Sequence, residues 1–248
     1  MEETTTVQPV NYDESCTIHL EDMEHLRLRP TMYIGKLGNG SSHDDGIYVL
    51  IKEVIDNAID EFTMGYGKTI EVTVDFAEKK VRIRDYGRGI PFGSLVTAVS
   101  RLNTGGKYDN KVFQKSIGLN GVGTKAVNAL SSHFRIQSVR DGQTKVAIFA
   151  EGKLVEDMEV QPSTEQNGTL VEFVPDVKCF GDYHFVNDYI ERSIWNYAYL
   201  NHGLTLRYNG QRYYSKNGLV DLLDNNMEGE RLYPIIHIKE GDFEVAFT

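Results

Sequence analysis

The sequence predicts an α+β fold, a sandwich in which a mixed, mostly antiparallel sheet carries helices on one face. Pairs of alternating apolar segments joined by short polar turns indicate β-hairpins, and other segments repeat apolar residues at helical spacing. Helices do not follow strands in the strict alternation of a doubly wound parallel sheet. These observations favour a two-layer α+β domain over a parallel α/β domain.

Strands are expected where apolar and polar residues alternate. The first hairpin joins IEVTVDF (70–76) to VRIRD (81–85), and the second joins FRIQSVR (134–140) to KVAIFAE (145–151). A further strand is expected at GTLVEFVP (168–175), and another hairpin is expected at LTLRYNGQRYY.

Helices are expected where the apolar spacing follows the helical period. The strongest pattern is IYVLIKEVIDNAIDEF (47–62), and a second helix is expected at 184–201, where the aromatic residues are interpreted as packing residues. Shorter helices are expected at 124–131 and near LVDLL. Residues 94–117 are polar and marked by glycines, which predicts a long loop or lid.

Composition excludes several classes of protein. Twenty-six basic residues against 36 acidic ones give a net charge of −10, so nucleic-acid binding by the general surface is not expected. Cys16 and Cys179 are interpreted as free thiols, and the seven histidines lack the paired spacing of a zinc site. The polar start is no secretory signal and no run suits a membrane span, so a cytoplasmic protein is expected.

The segment GLNGVGTKAVNAL (118–130) fits two nucleotide-binding templates imperfectly. GVGTKA matches the dinucleotide fingerprint, while GLNGVGTK differs from a P-loop because Thr124 precedes Lys125. Both templates need a buried strand before the loop, whereas the preceding NKVFQKS is polar. A dinucleotide-dependent oxidoreductase is therefore kept only as an alternative.

Three separated segments carry the residues suited to chemistry. Glu53, Asn57 and Glu61 are spaced four apart and share one row of the first long helix, although a solvated charged face explains them equally well. RDYGRGIP (84–91) ends a strand in an aspartate and two glycines, which also suits a plain turn. The glycines of 118–130 expose N–H groups at a helix start, where phosphate binds.

Together, EVIDNAIDE, DYGRG and GLNGVG resemble the three nucleotide-binding motifs of the GHKL ATPases, which implies the Bergerat ATPase sandwich. RPTMYIG (29–35), NTGGKYD (103–109) and GTLVEFVPD narrow the resemblance to the ATPase portion of the B subunit of bacterial type IIA topoisomerases. It runs from about Asp22 to the end of the chain. The stretch GLNGVGTKAVNALS, in place of the gyrase-like GGLHGVGVS, favours the topoisomerase IV branch over gyrase.

The resemblance implies a role for each motif residue. Glu53 is implied as the general base that activates water, Asn57 as the Mg²⁺ ligand, and Asp85 as the acceptor for the adenine amino group. A water held by Asp85, Gly89 and Thr169 is implied beside it. Hydrogen-bond chemistry agrees, since a guanine oxygen opposite Asp85 would set an acceptor against a carboxylate.

Further binding residues are implied around these. Gly87 allows close approach of a ligand, Arg88 pairs with Glu61 at the pocket mouth, and Tyr33 with the N-terminal arm reaches the nucleotide of the second protomer. The adenine side is implied to include Ile90, Pro91 and Arg140. The lid over the phosphates is implied to include Gly105, Gly106 and Lys107. The main-chain N–H groups implied to wrap the triphosphate are those of Gly118, Leu119, Asn120, Gly121, Val122 and Gly123.

The resemblance also implies an organisation and a working cycle. Residues 1–20 are expected as a mobile arm, 21–229 as the ATP-binding domain, and 230–248 as the truncated first strand of a transducer domain. Binding of Mg-ATP is expected to close a homodimer around DNA and hydrolysis to reset it, with an A-type subunit as partner. Open alternatives are the B subunit of DNA gyrase, a fragment that binds nucleotide without appreciable hydrolysis, and a chaperone-like or repair ATPase.

Overall fold

The computed structural model describes residues 20–102, 104, 121–231, 233–241 and 243–248. The predicted N-terminal arm, apart from Leu20, and Cys16 lie outside these residues. Within them, no helix is long and apolar enough to cross a membrane.

One large mixed sheet forms the frame of the domain. Its strands are β1 (Thr69–Asp75), β2 (Lys80–Asp85), β3 (Ser131–Arg140), β4 (Gln143–Ala150), β5 (Lys153–Asp157), β6 (Gln161–Pro162), β7 (Gly168–Pro175), β8 (Thr205–Tyr208) and β9 (Gln211–Tyr213). They lie in the order β5-β4-β3-β7-β2-β1-β8-β9, with β6 beside β4. Among the described pairs only β1 and β8 run parallel, so the predicted mixed, mostly antiparallel sheet is confirmed.

Helices cover one face of this sheet, as predicted. They are α1 (Asp22–Leu28), α2 (Thr31–Ile34), α3 (Gly46–Thr63), α4 (Leu95–Ser100), α5 (Gly123–Ala129), α6 (Val177–Phe180), α7 (Asn187–Leu200) and α8 (Leu219–Asn226). Helix α3 buries Leu50, Val54 and Ile59 in a core shared with Val72 and Ile83 of the sheet. Burial of each such side chain is worth about 1.5–3 kcal/mol, which holds α3 against the strands.

The β1–β2 register places the end of β2 under the helical layer. Ile70 pairs with Asp85, and Val72 pairs with Ile83, so these four side chains share the face that α3 covers. Glu71 alternates to the opposite face. Asp85 therefore ends the apolar row of its strand at the edge of the core.

Two expectations from the sequence need correction. The loop predicted over 94–117 begins instead with a 3₁₀ turn (Phe92–Ser94) and with α4, because Leu95 and Val99 are one helical turn apart and both buried. The tail expected as one strand forms an antiparallel hairpin of β10 (Ile236–Glu240) and β11 (Phe243–Phe247), and Gly241 lies in a turn after β10. A domain boundary at residue 230 stays a prediction.

Candidate functional site

Helix α3 presents the predicted row of polar side chains at the margin of the core. Glu53, Asn57 and Glu61 are each half-buried, between the apolar face of the helix and solvent. A solvated charged face would leave them exposed and without fixed partners, whereas each has specific partners in the fold. The row is therefore built into the fold and is not a purely solvated face, and its role in a site stays a prediction.

Glu53 lies directly against the start of helix α5. A Cβ atom added to Gly123, the first residue of that helix, would overlap with the Glu53 carboxylate. Because residue 123 has no side chain, the Glu53 carboxylate can lie beside the backbone at the start of α5. A glycine is therefore needed at this position for its close approach to Glu53.

Asn57 bridges α3 and α5. Its Nδ2 donates hydrogen bonds to the Glu53 carbonyl oxygen at 2.7 Å and to Thr124 Oγ1 at 2.7 Å. Thr124 is half-buried in the first turn of α5. The sequence marks Thr124 only as a departure from the P-loop and gyrase patterns, and no local signal in it reveals this contact.

Asp85 is the buried acid of the site, with 8% of its surface exposed. Its Oδ1 accepts hydrogen bonds from the backbone N–H of Gly87 at 2.8 Å and of Thr169 at 3.1 Å. Burial raises the pKa of Asp85 to about 6, against the lowering effect of these two bonds. Within the described part of the chain both bonds end on Oδ1. Oδ2 is therefore the carboxylate oxygen that is left to accept a hydrogen bond from a ligand.

Arg84, which the sequence analysis did not single out, supports Asp85 from the other side of the sheet. Its NH1 donates to the Asp85 carbonyl oxygen at 2.8 Å and its NH2 donates to the Gln166 carbonyl oxygen at 2.5 Å. A Cβ at Gly168 would overlap with the Asp85 carbonyl oxygen. Arg84 and Gly168 therefore hold the ends of β2 and β7 together where Asp85 meets Thr169.

Glu61 and Arg88 form the expected ion pair. Arg88 NH2 lies 2.8 Å from Glu61 Oε1, and Arg88 Nε and its backbone N–H donate to Glu61 Oε2 at 3.0 and 2.9 Å. The guanidinium also lies over the Tyr66 ring at 4.5 Å from its centroid. A Cβ at Gly87 would collide with Glu61 side-chain atoms, so a larger residue here would displace the Glu61 carboxylate.

The segment after Asp85 is fastened to strand β3. Arg140 NH1 donates to the Gly89 carbonyl oxygen at 2.9 Å, and Ser138 Oγ donates to the Ile90 carbonyl oxygen at 2.6 Å. Gly89 has φ +72, which favours glycine, and lies against the Val139 carbonyl. Ser138 was missed because nothing local in the strand pattern marks it. Ile90 packs against the core while Pro91 is exposed.

The phosphate-loop and lid residues are described only in part. Gly121, with φ +59, and Val122 lead into α5. Lys125 is buried, and its Nζ donates to the Thr104 carbonyl oxygen at 2.6 Å and to the Gly121 carbonyl oxygen. The other predicted loop and lid residues lie outside the described part of the chain: Gly105, Gly106, Lys107, Gly118, Leu119 and Asn120.

Tyr33 lies in the short helix α2 and is half-buried. Its hydroxyl is 2.8 Å from His25 Nδ1, and the two rings meet edge to face. Its predicted contact with a second protomer stays a prediction.

The donor set suits a hard cation that keeps most of its water. The described residues contain no group of three or more His, Cys, Asp or Glu side chains that could hold a metal by themselves. The amide oxygen of Asn57 fits Mg²⁺, which binds through few protein ligands together with water and phosphate oxygens. Zn²⁺, which needs three or four protein ligands, does not fit this set.

Sequence comparison identifies a family model that covers more than half of the chain. The model described as histidine kinase-, DNA gyrase B- and HSP90-like ATPase matches residues 42–178. This span contains α3, Asp85, Gly123 and Thr169, the residues that the structure brings together.

Individual relatives are B subunits of type II topoisomerases. The B subunit of DNA topoisomerase 4 from Borreliella burgdorferi is 52% identical over 96% of this chain and 39% of its own length. The B subunit of the type 2 topoisomerase from Aquifex aeolicus is 35% identical over 81% of the chain and 26% of its own length. The B subunit of DNA gyrase from Thermotoga maritima is 34% identical over 89% of the chain and 36% of its own length. The chain thus spans well under half the length of these relatives.

A solved structure has the same architecture. The 43K ATPase domain of Thermus thermophilus gyrase B, crystallised with an aminocoumarin, superposes with a TM-score of 0.74 at 28% identity. The match covers 92% of this chain and 62% of that chain. The predicted sandwich is confirmed by this likeness.

Proposed function

Because the chain belongs to the family of histidine kinase-, DNA gyrase B- and HSP90-like ATPases, we propose that it is the ATP-binding and hydrolysing part of the B subunit of a bacterial type IIA topoisomerase. One observation carries the proposal: Glu53 and Asn57 of α3 meet Gly123 and Thr124 of α5. The proposed general base Glu53 and the proposed cation ligand Asn57 thereby lie beside the start of α5, which is proposed to bind phosphate. The family model that matches the chain is one of ATPases.

Asp85 is proposed to select adenine. Its Oδ2 faces the ligand while Oδ1 is held by Gly87 and Thr169. A carboxylate accepts a hydrogen bond from the adenine amino group but would repel a guanine carbonyl at the same position. The proposed water at this end is held by Asp85, Gly89 and Thr169, and Ile90, Pro91 and Arg140 form the adenine wall.

Glu53 is proposed to orient the attacking water and to take its proton. A positioned general base of this kind is worth about 10²–10⁴ in rate. Asn57 would hold Mg²⁺, which supplies charge neutralisation at the phosphates when bound. Backbone N–H groups of Gly121, Val122 and Gly123 support the triphosphate.

The remaining site residues are proposed in the roles that the sequence implied. Glu61 and Arg88 form an ion pair at the mouth of the pocket. Gly87 lets the backbone approach the ligand closely. Two further groups of residues, which lie outside the described part of the chain, are also proposed to contact the phosphates. The lid residues are Gly105, Gly106 and Lys107, and the loop residues are Gly118, Leu119 and Asn120.

The wider cycle is proposed from the relatives. Binding of Mg-ATP closes a homodimer around a DNA segment, and Tyr33 and the N-terminal arm reach the nucleotide of the partner. Hydrolysis resets the dimer after strand passage. An A-type subunit is the partner in the full enzyme. Identity of 52% with a topoisomerase 4 relative, against 34% with a gyrase relative, favours topoisomerase IV over gyrase. The proposed ATP-binding domain spans 21–229, and residues from 230 begin the transducer.

Equilibrium binding of ATP, GTP and NAD to the chain with Mg²⁺ tests this function. We expect ATP to bind and GTP to bind roughly 5- to 150-fold more weakly, since a mispaired buried polar group costs roughly 1–3 kcal/mol. NAD, which lacks a γ-phosphate for the proposed phosphate contacts, is also expected to bind more weakly than ATP. Preference for NAD would revive the oxidoreductase alternative, and absence of ATP binding would overturn the proposal. ATP binding without turnover in a parallel hydrolysis assay would favour the alternative of a nucleotide-binding module alone.

A further inference from the structure

The orientation of the Asn57 amide is determined by its partners. A main-chain carbonyl only accepts hydrogen bonds, so the Asn57 atom that lies 2.7 Å from the Glu53 carbonyl oxygen must be the NH₂ group. The second N–H of the same group points to Thr124 Oγ1, also at 2.7 Å. The amide oxygen Oδ1 is consequently turned away from both partners.

Thr124 is a partner of Asn57 that comes from another element. The Glu53 carbonyl belongs to the same helix as Asn57, one turn earlier, so that bond does not connect the amide to the rest of the site. The bond to Thr124 ties the amide to α5, where Gly123 also contacts the Glu53 carboxylate. Two adjacent residues of α5 thus contact two residues of α3 that are one turn apart.

Threonine suits this task better than a flexible polar residue. It is β-branched, so few χ1 rotamers are available to its hydroxyl, and it is half-buried in the first turn of α5. A hydroxyl oxygen has two lone pairs and accepts the amide N–H readily. Valine has the same shape without the hydroxyl, which makes it a matched probe.

We propose that Thr124 is a positioning residue that directs Asn57 Oδ1 toward Mg²⁺, an inference that rests on the proposed function of Asn57 as the magnesium ligand. Residues that hydrogen-bond to a metal ligand fix its orientation, and their removal typically lowers metal affinity 10–100-fold. Loss of the Thr124 hydroxyl therefore lowers the affinity for Mg²⁺ specifically, and leaves nucleotide contacts elsewhere in the pocket unchanged.

Calorimetric binding of a non-hydrolysable ATP analogue, titrated at a series of Mg²⁺ concentrations and in EDTA, tests the inference. We expect Thr124→Val to raise the Mg²⁺ concentration for half-maximal enhancement by about tenfold, while affinity in EDTA stays as in the wild-type chain. Thr124→Ser retains the hydroxyl on a less restricted side chain and should lie much closer to wild type than Thr124→Val. In an Asn57→Ala background, Thr124→Val should cause no further change.

An unchanged Mg²⁺ requirement in Thr124→Val would overturn the inference, and so would an equal loss of affinity with and without Mg²⁺. Thr124→Ala, judged by its melting temperature alongside Thr124→Val, provides a second variant without the hydroxyl should valine prevent folding. Failure of the proposed function has a different signature: the wild-type chain would then bind the analogue without any enhancement by Mg²⁺, or would not bind it.

Discussion

Asp85, the last residue of β2, accepts a hydrogen bond at 3.1 Å from the backbone N–H of Thr169 on the neighbouring strand β7. The contact follows from the antiparallel pairing of the two strands, in which Arg84 lies opposite Leu170. It fixes one carboxylate oxygen and leaves the other toward the proposed adenine site. The proposed selection of adenine therefore depends on the sheet register as well as on the aspartate.

Replacement of Asp85 by Asn separates binding from stability. The Asn oxygen can still accept from Gly87 and Thr169, but its NH₂ then opposes the adenine amino group, so we expect ATP affinity to fall roughly ten- to hundredfold, equivalent to about 1–3 kcal/mol. At pH 8 the variant avoids burying a charge, and its free energy of unfolding should equal or exceed that of the wild type. Calorimetry and urea denaturation check both outcomes; lower stability with unchanged affinity would contradict the assignment.

The raised pKa of Asp85 predicts a pH dependence of binding. The carboxylate is the better acceptor for the adenine amino group, so ATP affinity should fall as the pH drops through about 6. The sign for stability is opposite: the folded state holds the proton more tightly than the unfolded state, so this group's contribution to stability declines as the pH rises from about 4 to about 6. Binding titrations between pH 5 and pH 8 should show a transition that is absent in Asp85→Asn.

Substitution of Gly123 by Ala should impair hydrolysis. The added methyl group would overlap with the Glu53 carboxylate and displace the proposed base, so we expect turnover to fall at least about tenfold, and more than ATP affinity. Gly93→Ala is a matched control, because a Cβ there meets no atom within 4 Å. Equal turnover in both variants would show that the Gly123 contact with Glu53 does not matter for catalysis.

The pair of Glu61 and Arg88 should contribute measurable coupling energy. Its two-point geometry and partial burial, with 16% and 27% of the side chains exposed, favour a value of about 1 kcal/mol in a double-mutant cycle with Glu61→Gln and Arg88→Met. The pair of Glu71 and Arg207 is more exposed, with a separation of 3.5 Å, and should give a value close to zero. Urea denaturation of the single and double variants measures both cycles; equal coupling in the two pairs would be the contrary result.

Local patterns predicted the parts of the fold that depend on local periodicity. Helix α3 and the first two hairpins follow from apolar spacing, and the four-residue interval placed Glu53, Asn57 and Glu61 in one row. Helix α4 was missed because Leu95 and Val99 form only one apolar turn within a polar, glycine-marked segment.

Contacts between elements distant in the sequence could not be predicted from spacing. The close approach of Gly123 to Glu53 and the bond of Thr124 to Asn57 depend on how α5 packs against α3. Ser138 and Arg140 reach the segment after Asp85 only because β3 and β7 lie in one sheet. The raised pKa of Asp85 likewise comes from burial, which the motif alone does not reveal.

Steady-state ATP hydrolysis by the wild-type chain and by Glu53→Gln, measured together with ATP affinity, tests the central claim most directly. If Glu53 is the general base, the variant binds ATP within a fewfold of the wild type while its turnover falls by about 10²–10⁴. Glu78→Gln, which removes the same charge from an exposed turn, should hydrolyse ATP as the wild type does. Turnover that is unchanged in Glu53→Gln would contradict the account.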